Sequence, residues 1–224
     1  MVFVFPFSIS RTVSNLVAIK LRELQETQLL DHWRDLARLP DERAITGAVF
    51  EAYVYRKFCQ HIKISAIPIL KSGNYHATTI GHNDTTATPL LNLAKTRRQF
   101  VPTNAKSLEL NISCDETVVY DAQINGKIMV QNDVFYQPQT DQPVGFDAFV
   151  VHSNSLYLFK FTGGKARDIQ DGILTSLDNH FDGLPPAPNR NFIFVIPSYL
   201  IEFSCPDSSR SFGLNLYTAS IQME

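Results

Sequence analysis

GFDAFVVHSNSLYLFKFTGG, residues 145–164, carries two apolar runs around a short polar turn, with an acid, Asp147, in the first run and a base, Lys160, in the second. If the turn is centred on Ser153 and Asn154, Val151 faces Leu156, Phe149 faces Leu158 and Asp147 faces Lys160 across a β-hairpin. Side chains alternate along a strand. Asp147, Phe149 and Val151 therefore share one face with Leu156, Leu158, Lys160 and Thr162. Directly opposed Cβ atoms lie about 4.5–5.5 Å apart, so the plainest reading is a cross-strand ion pair contributing on the order of 0.2–1 kcal/mol.

Working outward, the hairpin is followed by a helical pattern from about Lys165 to Leu177. FIFVI, at 192–196, is a continuous apolar run suited to a strand covered on both faces, and LNLYTASI, at 214–221, suits a last strand. Before the hairpin lie β-rich runs punctuated by Gly, Asn, Asp and Pro: KISAIPIL (63–70), YHATTI (75–80), SLELNIS (107–113), TVVYDA (117–122) and KIMVQ (127–131). The turn INGK at 124–127 contains Asn-Gly and predicts a tight hairpin joining the last two. Upstream, apolar residues from Val13 to Leu39 recur at three- and four-residue steps, which predicts one long or two short amphipathic helices. Pro40 ends that pattern, Asp41 can cap the next helix, and a third helix runs through ERAITGAVFEAYVYRKFCQHI, residues 42–62. The order predicts an α+β (mixed α/β) fold with a mostly antiparallel sheet flanked by helices. Residues 1–40 form an extended segment and helical connector, and 41–224 form one domain.

With 224 residues of which 44% are hydrophobic, the chain can bury a proper core. A formal charge of −2 offers no overall basic field to a nucleic acid, so any such binding rests on local patches. Cys59, Cys114 and Cys205 are far apart and odd in number, which argues against a disulfide framework and a structural zinc site, and for a reducing, intracellular compartment. The start MVFVFPF lacks the basic flank of a signal peptide, and no apolar run approaches the roughly 20 residues that span a bilayer.

Three stretches then carry a resemblance. RAITGAVFEAYVYRKF, VFYQPQTDQPVGFDAFVVHSNSLYLFKFTGGKARDIQDGIL and LPPAPNRNFIFVIPSYLIEFSCP resemble, in order and spacing, a large fungal family related to the Crinkler effectors and the retrotransposon hot spot proteins. The matching part is the family's C-terminal domain, restriction-endonuclease-like, of the PD-(D/E)XK type, which usually follows a P-loop ATPase module. FPFSISRTVSNLVAIKL and the helices up to Leu39 resemble the connector between the two modules. No GxxxxGK[ST] occurs here, so no nucleotide site is expected in this chain. The resemblance implies a nuclease-like, nucleic-acid-directed (DNA-binding) domain with action in a host nucleus or against mobile elements. Its alternative is a non-catalytic effector-type interaction module, a pseudoenzyme that binds protein or nucleic acid.

The same resemblance assigns sites. In a metal-dependent nuclease of this superfamily, acids or Gln from adjacent strands hold Mg2+ or Mn2+ and a nearby Lys polarises water or phosphate. Asp147 matches the Asp-strand position and Glu51 the acid on the first core helix, making these two the expected metal ligands. The third position departs from the pattern: Phe159-Lys160-Phe161-Thr162 puts Lys160 where the ligand belongs and Thr162 where the lysine belongs. A charged ammonium has no lone pair to give and competes with an ion for Asp147. Either Lys160 replaces the cation, or it is the catalytic lysine and another acid, Asp133 or Glu51, completes the site. Arg167 stands about where relatives often carry a loop His.

Elsewhere, Lys95, Arg97 and Arg98 make the densest basic cluster, with Lys106 downstream, and could contact phosphates or be simply solvated. None of the six histidines shows zinc-binding spacing. Phe135, Tyr136 and Tyr157 lie in or beside β-rich runs and are expected to be packing residues rather than base-stacking platforms; Tyr53 and Tyr55 on the third helix are read the same way.

Overall fold

The structure is a computed structural model that describes residues 20–21, 24–36, 43–69, 107–121, 126–139, 145–164, 167, 169–200, 203, 205 and 213–223. Among the described residues, three α-helices have both ends placed: α1 (Glu26–Leu36), α2 (Arg43–Phe58) and α3 (Ile173–His180). The strands are β1 (His61–Pro68), β2 (Leu108–Ser113), β3 (Glu116–Tyr120), β4 (Ile128–Met129), β5 (Val134–Pro138), β6 (Ala148–His152), β7 (Ser155–Phe161), β8 (Phe181–Asp182), β9 (Arg190–Pro197) and β10 (Asn215–Ile221). Eight of them form one sheet in the order β2-β1-β10-β9-β7-β6-β5-β3, while β4 and β8 pair separately. The neighbours β2/β1, β1/β10, β7/β6 and β6/β5 are antiparallel. β10/β9, β9/β7 and β5/β3 are parallel. The result is a mixed α+β fold with a large, mostly antiparallel sheet and few helices. Among the described residues no helix is long and apolar enough to cross a membrane.

The central strands are apolar on both faces because helices and loops cover both. Ala148 and Val150 of β6, Tyr157, Phe159 and Phe161 of β7, and Ile193 and Val195 of β9 pack with Val49, Phe50, Tyr53, Val54 and Phe58 of α2 and with Leu29 of α1. The alternate residues Phe149, Val151, Leu156, Leu158, Phe192 and Phe194 pack with Ile173 and Leu177 of α3. Thus the helix read as part of a connector lends Leu29 to the same core as α2. On the α3 side, Phe149 stacks on Tyr136 at 4.7 Å and meets the Phe181 ring edge at 4.8 Å.

The hairpin register is the one expected: Val151 pairs with Leu156 and Phe149 with Leu158. Its two-residue turn has φ 49° at Ser153 and 58° at Asn154, the left-handed pair that matches strand twist. Phe135, Tyr136 and Tyr157 are buried, as packing residues should be, and β9 is buried along nearly its whole length.

Three local expectations are corrected. The Asn-Gly turn does not join β3 to β4: β3 lies parallel beside β5, and β4 lies parallel beside β8. Residues 122–125 are outside the described set. In the observed pairing Tyr120 is buried 4.8 Å from Phe181, and the burial of an aromatic outweighs a local turn preference. The third helix stops at Phe58, and His61 and Ile62 already belong to β1, where the burial alternates with period two. The helix after the hairpin begins at Ile173, not near Lys165, because Gly172 at φ 82° turns the chain just before it and Ile169 is drawn into the core without being helical. YHATTI (75–80) and the capping position Asp41 lie outside the described residues.

Phe149→Ala removes a fully buried ring from this aromatic cluster and should cost about 3–5 kcal/mol in urea unfolding. A loss below about 1 kcal/mol would show that the β6–β7 face is not the packing centre described.

Candidate functional site

Asp147 sits where β6 leaves the ladder. Its backbone N–H donates to the Phe159 carbonyl at 2.8 Å, although the ladder partner of Phe159 is Ala148. Just before it, Gly145 has φ 82°, and a Cβ there would lie 2.8 Å from the Ile173 side chain, so only glycine brings the chain in against α3. The Asp147 carboxylate closes the open strand end. Its Oδ2 accepts the Phe161 backbone N–H at 2.6 Å, and its Oδ1 accepts the Lys160 ammonium at 2.7 Å. Lys160 and Asp147 are 28% and 18% exposed, which is dry enough for the pair to be held and open enough for a ligand to reach it.

One residue pair further, Thr162 is fully buried and its N–H continues the parallel ladder to the Val195 carbonyl at 3.0 Å. Its Oγ1 accepts both the Gly164 N–H at 3.1 Å and the Arg167 Nε–H at 3.2 Å, which anchors an otherwise exposed guanidinium. Gly163 lets two backbones meet: a Cβ there would lie 3.2 Å from the Gly47 Cα of α2. Glu51, half-buried, is one turn beyond Gly47 and one turn before Tyr55, which packs on Phe135 at 5.8 Å. Residues four apart on a helix share a stripe, so Glu51 lies over the same end of the sheet. It comes from the α2 side, however. Lys160 alternates with Phe159 and Phe161, both under Phe58 of α2, and so faces the α3 side.

The structure therefore brings together Asp147, Lys160, Thr162 and Arg167 and sets Glu51 on the opposite face of that sheet end. Asp133, considered as a completing acid, is excluded by position. It pairs with His152 Nδ1 at 2.5 Å, at the turn end of the hairpin, five strand residues or about 16 Å from Asp147. Lys95, Arg97 and Arg98 lie outside the described residues. Sequence reasoning missed Tyr199, an exposed ring in the turn after β9 whose hydroxyl is 3.9 Å from the position of a Gly163 Cβ. Its only sequence signal was an aromatic just past a buried strand.

As they stand, these residues do not fit a divalent ion. Both Asp147 oxygens are engaged, the neighbouring position offers a cation rather than a lone pair, and among the described residues no three His, Cys, Asp or Glu side chains gather at one point. Comparison with protein-family models, with curated proteins and with solved structures found no match.

The cysteines are thiols rather than bridges: Cys59 and Cys114 are half-buried and Cys205 is buried. Burial pushes the Cys114 thiol up to about 11, with Cys59, Asp133 and Asp115 adding to the effect. A raised thiol is protonated at neutral pH, so it contributes stability below the unfolded-state value and loses it as pH rises through about 11. Alkylation of Cys114 by iodoacetamide, followed by peptide mass spectrometry, should stay slow at pH 8 and accelerate up to about pH 11. Fast labelling at pH 7 would contradict the burial.

Asp147→Ala leaves the Phe161 N–H and the Lys160 ammonium without their acceptor and should cost about 1–3 kcal/mol, with faster amide exchange at Phe161. Lys160→Met keeps the acceptor for Phe161 and should cost less than about 1 kcal/mol. Equal losses in the two variants would mean that the ion pair, not the strand closure, holds this end of the sheet.

Proposed function

We propose that this chain is a nuclease-like, nucleic-acid-directed domain of the restriction-endonuclease-like (PD-(D/E)XK) kind in which the Lys160 ammonium has taken the place of the metal ion. The order of elements supports the fold reading: helix α2 with Glu51, an Asp-bearing hairpin, Lys160-Phe161-Thr162 closing β7, then α3 and the parallel strand β9. One observation carries the functional reading. The Asp147 carboxylate that a divalent ion would need is taken by Lys160 at 2.7 Å and by the Phe161 N–H at 2.6 Å. An ammonium supplies the positive charge that steadies the carboxylate, and it also offers N–H donors that a phosphate oxygen can accept. The domain thus keeps a phosphate-facing site without an obvious means of activating water.

The second reading, a non-catalytic effector-type interaction module, draws on the same saturated carboxylate and extends the partner to protein. The family resemblance also favours action in a nucleus.

Purified protein, incubated with plasmid and with single-stranded DNA and RNA in Mg2+ or Mn2+, should cleave no faster than in EDTA. Lys160→Gln should raise divalent-ion affinity in calorimetric titration by removing the competing charge. Divalent-dependent cleavage that disappears in Asp147→Ala would return the chain to the active metal-dependent nucleases. Unchanged ion affinity in Lys160→Gln would show that Lys160 has not displaced a ligand.

A further inference from the structure

A second cluster of reactive side chains lies on β1 and β2, at the edge of the sheet farthest from β3. In the sheet order β2 is four strands from β7, about 19 Å along the sheet, so this cluster is separate from Asp147 and Lys160. His61 is opposite Ser113 in the antiparallel ladder, and the Ser113 Oγ is 3.2 Å from its Nδ1. The other ring nitrogen, Nε2, is 2.8 Å from Oδ1 of Asn111, two residues back along β2. An amide oxygen can only accept, which puts the proton of the neutral imidazole on Nε2 and leaves Nδ1 to accept the Ser113 hydroxyl proton. Orienting amide, base and hydroxyl therefore stand in line.

The backbone completes the arrangement. The Cys114 N–H donates to the Gln60 carbonyl at 3.0 Å, which makes Gln60 and Cys114 a hydrogen-bonded pair and His61 and Ser113 the close, non-hydrogen-bonded pair next to it. In such a pair the N–H and C=O groups point away from the partner strand. Since β2 is the outermost strand among the described residues, the Ser113 N–H faces the open edge beside its own hydroxyl. Next to Asn111, Lys63 and Glu109 border an open hollow of about 430 Å³, within the range of small-ligand sites. His61, Asn111 and Ser113 are all exposed, so substrate and water reach them from solvent.

We infer that Ser113, His61 and Asn111 form a hydrolytic site for carboxylic esters, distinct from the site of the proposed function and independent of it. The Ser113 Oγ attacks the ester carbonyl carbon while its proton passes to His61 Nδ1. The Oγ–C bond forms, and the C–O bond to the alcohol breaks as His61 returns the proton to the departing oxygen. Water, deprotonated by the same nitrogen, then releases the acid and restores the hydroxyl. Ester and water are the only reactants. The Ser113 N–H donates to the carbonyl oxygen as negative charge grows there. Asn111 is a positioning residue that acts through His61 by fixing its tautomer. Lys63, whose ammonium has no partner among the described residues, favours an ester whose acyl group carries a negative charge.

The test is labelling of the full chain with a fluorophosphonate, an electrophile for base-activated serines, read by peptide mass spectrometry beside hydrolysis of p-nitrophenyl acetate. Ser113 should carry the label, with fluoride released, and Ser113→Ala should abolish it. His61→Gln keeps a polar side chain without the base and should slow labelling and ester hydrolysis at least about 100-fold. Asn111→Ala should slow both, and Asn111→Asp, which restores an acceptor for the Nε2 proton, should recover them. Ser65, an exposed serine on β1 that donates to Glu109 Oε1 at 2.5 Å rather than to an imidazole, should stay unlabelled. Circular dichroism should be unchanged in these variants, since the three side chains lie outside the core. An unlabelled Ser113, an undiminished rate in His61→Gln, or equal labelling of Ser65 would overturn the inference. Failure of Asn111→Asp to recover the rate would overturn the role given to Asn111.

Discussion

The structure depends on a hairpin that must be apolar on both of its faces. Phe159 and Phe161 lie under Phe58 of α2, while Phe149 and Leu158, one residue out of step, pack with α3. A slip of one residue in the pairing would exchange the two sets, sending every ring to the wrong layer. Two helical layers and a sheet are thereby held in one register. The left-handed pair Ser153 and Asn154 closes the hairpin without splaying it.

That constraint also explains why the charged residues sit where they do. A strand buried on both faces can place polar side chains only at its ends, and Asp147, Lys160 and Thr162 all fall at the end where β7 and β9 run out. There the Asp147 carboxylate substitutes for the missing ladder partner of Phe161. A side chain that began as a structural cap is in the same place as a chemical group facing solvent. The ion pair thus closes the strand end at the candidate site, and Lys160 neutralises the carboxylate locally. The opposite end of the hairpin is built similarly, with His152 on Asp133, but at a distance that keeps the two clusters independent.

Much of the centre was legible because its signals are local and periodic. The alternation in 145–164 gave the register, both covered faces and the meeting of Asp147 with Lys160. FIFVI announced β9, and LNLYTASI announced β10, by their apolar content alone. Signals failed where a local preference competed with burial elsewhere. The Asn-Gly turn lost to the pairing of β3 with β5 and of β4 with β8, and the helix after the hairpin was delayed until Gly172. Of the candidate site, Asp147, Lys160, Thr162 and Arg167 were legible in the sequence, while Tyr199, which reaches Gly163 from the α2 side, was not, since its place depends on the parallel adjacency of β7 and β9.

By itself, then, the sequence determined what a chain learns from its near neighbours: which residues alternate, where a two-residue turn closes, and which acid faces which base. Only the tertiary structure decided the strand order, the face from which Glu51 approaches, the exclusion of Asp133 and the arrival of Tyr199. The physical reason is that alternation and turn geometry are set by backbone dihedrals within a few residues, whereas pairing of distant strands is chosen by the total apolar surface buried. No single segment carries that sum.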